Sequence, residues 1–221
     1  MTGSVLIIGA AGQARALVDV IHAEGRRRIV GLIDSFQAPG TARLGYRILG
    51  GEAEVPRLLV EHGIADVVIA IGDNVQRAAM FERIQKAVPA ARLVGAIHPA
   101  AVVAGDVEVG EGTVMMPGAV AVSGARIGRG CILNTNSSLD HDGILADWSS
   151  LAPGVATGGR VRIGRRSAIG LGANLIEGIR IGDDTLVGAG ALVLHDLPDR
   201  VVAFGVPARI IRTRVPGEPY L

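Results

Sequence analysis

The run Ile163-Gly-Arg-Arg-Ser-Ala-Ile169-Gly-Leu-Gly-Ala-Asn-Leu175-Ile-Glu-Gly-Ile-Arg-Ile181-Gly-Asp-Asp-Thr-Leu-Val187 puts a large aliphatic residue at every sixth position. Carried backwards without an insertion, the register meets Ile97, Val103, Val109, Met115, Ala121, Ile127, Leu133, Leu139, Leu145, Leu151 and Thr157, and forwards it reaches Val193. Fifteen of these seventeen positions are Val, Ile, Leu or Met, types that supply 70 of the 221 residues, so chance would place about five. Glycine follows the aliphatic at Gly110, Gly128, Gly158, Gly164, Gly170, Gly182 and Gly188. Four places after it stand small residues such as Ala119, Ala125, Ser137, Ser149, Ser167, Ala173 and Ala191.

A period of six is neither the two of an ordinary strand nor the 3.6 of a helix. It fits a triangular coil in which each hexad supplies one short strand and one corner, so that three hexads close a turn. The aliphatic points into the tube and stacks on its counterparts one coil away, because a single repeat cannot bury its own apolar face. Strict hexads are the signature of the left-handed exception to right-handed crossovers. The expected fold is therefore a left-handed parallel β-helix over residues 96–221, ending in a C-terminal tail.

Residues 1–95 follow a different rule. Val5–Gly9, Arg28–Asp34, Asp66–Ile71 and Leu93–Ile97 read as strands, with Tyr46–Leu49 a weaker one. Gln13–Glu24, Glu52–Glu61 and Val75–Val88 read as helices, Pro56 standing near the first turn of the second. Alternation of this kind predicts an α/β domain with a mainly parallel, Rossmann-like sheet. Strand-end loops of such sheets bind nucleotides.

Bulk properties exclude several classes. A net charge of +1, with no basic run beyond Arg26-Arg27-Arg28, lacks the footprint of a nucleic-acid binder. The single Cys131 excludes an intramolecular disulfide and suits a reducing compartment. The first apolar run ends at Gly9 and lacks a charged leader, and no apolar stretch reaches membrane-spanning length. A soluble cytoplasmic protein without membrane insertion is expected.

One segment breaks the hexad polarity: Asn134-Thr-Asn-Ser-Ser-Leu-Asp140-His141-Asp142-Gly143 sets an imidazole between two carboxylates. Eighteen residues on, one coil higher, lies Gly159, about 4.8 Å away in backbone terms. Neutral histidine accepts a proton near pH 7, a carboxylate orients it, and a glycine N–H donates to a developing oxyanion. That set suits acyl transfer. His195 lies three coils beyond His141 and reads as structural. His98, His141 and His195 do not converge, so the sequence calls for no metal.

Taken together, Gly9-Ala-Ala-Gly-Gln13, Leu133-Asn-Thr-Asn, Asp140-His-Asp142, Val187-Gly-Ala-Gly-Ala191 and Gly205-Val-Pro-Ala-Arg209 resemble the hexapeptide-repeat sugar-nucleotide N-acetyltransferases. The resemblance spans nearly the whole chain. It implies an acetyl-CoA-dependent acetyltransferase, a homotrimer, acting on the 4-amino group of a nucleotide-linked dideoxysugar, GDP-perosamine favoured, for O-antigen or other surface-glycan biosynthesis. It makes His141 the base, Asp142 its partner and the Gly159 amide the oxyanion donor. Gly159, Ala189 and Arg209 would contact acetyl-CoA, and Ala11, Gly12, Gln13, Asp34, Ser35, Gly51 and Asn74 the nucleotide sugar. Three positions depart from family habit: Gln13 is often His, Ser150 stands where some members carry a second active-site His, and Asp142 replaces Glu. A sialic-acid-type sugar O-acetyltransferase is the rival reading, since the same base serves a hydroxyl. A more distant one is NAD binding through Gly9-x-x-Gly12 and Asp34, although Ala11 stands where that fingerprint has a glycine.

Overall fold

A computed structural model describes residues 3–218 and Tyr220. Contacts group the chain into two units, one running to Gly72 and including Gln76–His98, the other comprising Asp73–Val75 and the residues from Pro99 onward.

The first unit contains β1 (Ser4–Ile8), α1 (Gly12–Glu24), β2 (Arg28–Ile33), β3 (Ala42–Arg43), β4 (Tyr46–Gly50), α2 (Val55–Glu61), β5 (Asp66–Ile69), α3 (Asn74–Ala87, whose first two residues group with the other unit) and β6 (Arg92–Leu93). The sheet order is β3-β4-β2-β1-β5-β6, parallel throughout except where β3 turns back on β4. Val5, Leu6 and Ile7 are wholly buried, as the continuous apolar run of β1 requires of a central parallel strand.

Three details differ from the sequence expectation. The hairpin β3–β4 turns through Leu44 and Gly45, both at positive φ, and two-residue β3 is too short to leave a periodic signal. The helix expected over Glu52–Glu61 opens as a 3₁₀ turn, Glu52–Glu54, before α2, because Pro56 lacks an N–H and belongs in a first turn. The strand expected over Leu93–Ile97 divides into β6 and a separate pair, Ala96–Ile97.

The second unit is a left-handed parallel β-helix of two-residue strands, with residues eighteen apart in register. Val120 and Ala121 pair with Ser138 and Leu139; Ile144 and Leu145 pair with Arg162 and Ile163; Ser150 and Leu151 pair with Ala168 and Ile169. The aliphatic of each hexad fills the tube: Met115, Leu133, Leu139, Leu145, Leu151 and Val187 have no exposed surface. The small residues are equally buried, and their hydroxyls stay satisfied. Ser137 Oγ donates to the Asn134 carbonyl at 2.7 Å and Ser167 Oγ to that of Gly182 at 2.5 Å. Glycine after the aliphatic has a steric reason at Gly158, where a Cβ would stand 2.6 Å from the Glu177 nitrogen of the next coil. The tail is itself structured: Val201–Phe204 adds a parallel strand to one sheet, and Arg209–Thr213 returns antiparallel to it.

Candidate functional site

The corner Asp140–Gly143 follows the strand Ser138–Leu139. Asp142 adopts φ +55°, a left-handed conformation that Asp and Asn tolerate better than most residues. Gly143 closes the turn, since a Cβ there would lie 2.7 Å from the Asp140 carbonyl oxygen. The Asp140 carboxylate accepts the His141 backbone N–H at 2.6 Å, and the Asp142 carboxylate lies 3.0 Å from His141 Nδ1. With Nδ1 donating to Asp142, Nε2 carries the lone pair, an assignment that follows from the hydrogen-bond network.

That Nε2 faces the coil above. A Cβ placed on Gly159 would overlap the imidazole, so only glycine fits over the ring. Among the described residues, none accepts the Gly159 N–H. Base and amide donor are thus brought together on one corner. The His141 side chain is 44% exposed, open enough to meet a ligand.

Electrostatics favour the charged ring. The hydrogen bond to Asp142 lifts the His141 pKa above the ordinary imidazole value; desolvation opposes this, the charges of Asp140 and Asp142 add to it, and Arg160 subtracts. Arg160 is restrained from above by Glu177, at 2.6 Å.

The remaining expected acetyl-CoA contacts lie apart. Ala189 is exposed on a different corner, its distance from Gly159 in sequence not being a multiple of eighteen. Arg209 is exposed in the final hairpin, its guanidinium donating to the Ala208 carbonyl at 2.9 Å.

Most of the expected nucleotide contacts gather at strand ends of the first unit. Ala11 and Gly12 are exposed where β1 passes into α1, whose N-terminus has no side-chain cap and no acidic residue in its first turn. Uncapped N–H groups and the helix dipole suit a phosphate. Gln13 Nε2 is buried without an acceptor. After β2, Asp34 Oδ1 accepts the Phe36 N–H at 2.8 Å, and Ser35 Oγ accepts the Glu52 N–H at 3.2 Å. Gly51 packs against Ser35 at the end of β4, its N–H donating to Glu54 Oε2 at 2.6 Å.

Asn74 is elsewhere. It is fully buried and belongs to the β-helix unit, where its Nδ2 donates to Ser150 Oγ (3.1 Å) and the Ser167 carbonyl (3.0 Å) and its backbone N–H to Tyr220 Oη (2.8 Å). Its donors are spent inside that unit. The same bond gives Ser150 a partner. Thr157, a threonine in the aliphatic column, was not singled out by sequence reasoning, although its polarity there was a signal: its Oγ1 accepts the Asp140 N–H at 3.0 Å.

Comparison with known proteins places this geometry in context. Residues 4–84 match the PglD N-terminal domain. The chain is similar to the structure of a point mutant of GDP-perosamine N-acetyltransferase from Caulobacter crescentus in complex with CoA and GDP-perosamine, at 39% identity, with 95% of this chain and 97% of that one covered and a TM-score of 0.87. It is similar also to the acetyltransferase domain of PglB from Neisseria gonorrhoeae in complex with acetyl coenzyme A (29% identity, 96% and 100% covered, TM-score 0.87). Among curated relatives, the serine acetyltransferase of Synechococcus elongatus is 29% identical over 107 residues, 43% of this chain and 44% of that protein. The chain thus spans less than half the length of that relative.

Proposed function

The chain belongs to the hexapeptide-repeat sugar-nucleotide N-acetyltransferases, and from that membership we propose that it transfers an acetyl group from acetyl-CoA to the 4-amino group of a nucleotide-linked dideoxysugar, GDP-perosamine being the favoured acceptor. The observation that carries the reading is the stack of His141 Nε2 beneath the unaccepted Gly159 N–H, with Nδ1 held by Asp142. The choice of GDP-perosamine draws on the likeness to the Caulobacter enzyme.

The neutral amine attacks the thioester carbonyl, forming C–N as its proton passes to His141 Nε2. The Gly159 N–H donates to the oxyanion, which is where charge develops. The C–S bond then breaks, and the imidazolium returns the proton to the departing thiolate. Asp142 holds the ring in one tautomer and stabilises its charged form, as carboxylates do beside a basic histidine. Nucleotide phosphates would meet the uncapped start of α1 at Ala11, Gly12 and Gln13, with Asp34, Ser35 and Gly51 beside them. Ala189 and Arg209, on another corner and in the final hairpin, suit acetyl-CoA only if a second copy brings its own His141 corner to them, as in a homotrimer.

The test is acetyl-CoA consumption by the purified chain with GDP-perosamine, UDP-linked 4-amino sugars and sialic acid, with mass determination of the product. Acetylation of the GDP-linked amine supports the proposal. Preference for a uridine sugar corrects the nucleotide, an acetylated hydroxyl replaces amine by alcohol, and stabilisation by NAD without acetyl transfer overturns the reading.

A further inference from the structure

The strand leading into the His141 corner is registered unusually. Ser138–Leu139 pairs with Ala156–Thr157 only through Ser138 and Ala156, whereas the coil below pairs at both residues (Val120 with Ser138, Ala121 with Leu139) and so does the coil above (Ala156 with Asn174, Thr157 with Leu175). Elsewhere in this sheet the residue after the strand donates to the carbonyl of the aliphatic one coil higher: Val122 to Leu139 at 3.0 Å and Gly158 to Leu175 at 2.8 Å. By that pattern Asp140 would donate to the Thr157 carbonyl. It donates instead to the Thr157 hydroxyl.

Thr157 pays a cost to be there. It occupies a position where the column otherwise stacks aliphatics such as Leu139 and Leu175, and it is 6% exposed. A buried hydroxyl is unfavourable unless hydrogen-bonded, and this one accepts the backbone N–H that opens the active corner. Directly after that N–H come the Asp140 carboxylate, which accepts the His141 N–H, and the imidazole beneath Gly159.

We propose that Thr157 is a positioning residue for His141: its hydroxyl replaces a backbone rung, lets the corner leave the regular coil, and fixes where the imidazole stands relative to Asp142 and Gly159. The proposal rests on His141 being the proton acceptor of the reaction proposed above. The charged groups acting on the ring are Asp142 and Asp140 on its own corner and Arg160 above, itself paired with Glu177; one coil below, Ser123 Oγ donates to Asp106 at 2.7 Å. Thr157 carries no charge, so its influence on the ring passes through geometry.

Three substitutions separate hydroxyl from bulk. Thr157→Val keeps the branched shape and removes the acceptor, Thr157→Ala removes both, and Thr157→Ser keeps the hydroxyl alone. In the Val and Ala variants kcat should fall about tenfold or more while the KM for acetyl-CoA stays within about threefold, and Ser should retain most of the wild-type kcat. The second readout needs no substrate: the His141 imidazole, followed by NMR in the full chain, should titrate at lower pH in the Val and Ala variants, as its contact with Asp142 loosens, and unchanged in Ser. Should Val fail to fold, the Ser–Ala comparison still isolates the hydroxyl. Equal kcat in Ser and Ala, or a lost kcat with an unmoved His141 titration, overturns the proposal. If the wild-type chain acetylates no nucleotide sugar, the proposed reaction falls while the titration still decides the role of Thr157.

Discussion

At the scale of single residues, the proposed chemistry rests on three groups within one corner and its neighbour. Replacing His141 by alanine removes the proton acceptor and should lower kcat by about 10²–10⁴. Acetyl-CoA binding, measured by calorimetry, should change little, because the ring acts on the amine. Asp142→Asn tolerates the same left-handed backbone and tests the carboxylate alone. The hydrogen bond to Asp142 raises the His141 pKa, and in the proposed mechanism the protonated ring is the inactive form. Activity is therefore lost as pH falls through that pKa, and the acid limb of kcat/KM should move to lower pH in the Asn variant. Gly159→Ala should displace the imidazole and cut kcat with the fold intact by circular dichroism, since its Cβ would occupy the space of the ring.

Much of this corner could be read from the chain. The stacking of Gly159 over His141 follows from counting in eighteens, and Asp142 stands next to His141 in the chain. Thr157 was passed over although it is polar in an aliphatic column, because its meaning depends on a hydrogen bond to Asp140, seventeen residues away. Hexad polarity does not encode that bond. Asn74 was harder still. The family resemblance implied a ligand contact there, while its actual partners, Ser150, Ser167 and Tyr220, lie far along the chain and no local pattern links them.

At the scale of elements, the strands of the β-helix are too short to be stable individually. Each contributes one inward side chain, and stability comes from stacking those side chains across coils. Leu145→Ala, in a fully buried position, should cost about 2–5 kcal/mol in denaturant unfolding. Val102→Ala, at an exposed position, should stay within about 0.5 kcal/mol. In the first unit, period and composition disclosed the parallel strands and helices. The hairpin partner β3 escaped because two residues carry no period, and the tail escaped because Val201–Phe204 gains its meaning only by joining a sheet laid down earlier in the chain.

At the scale of the whole molecule, two sequence rules lie end to end on one chain. Strand–helix alternation makes loops suited to a nucleotide, and hexads make a column suited to proton transfer. Among the described residues no helix is long and apolar enough to cross a membrane. The likeness to solved structures over almost the full length argues that both rules belong to one family architecture.

The unbroken register also gives the β-helix something like a reading frame. Deleting Ala152 alone would be a frameshift: every later side chain would move one place round the coil, turning core outward and separating the His141 corner from Gly159. Excising residues 103–120 would be in frame, removing one storey of about 4.8 Å and leaving every residue from Leu139 onward above its old neighbour. Thermal melting followed by circular dichroism should show a cooperative transition for the second deletion and its loss for the first. Changes of length in such a chain are therefore tolerated in units of whole coils.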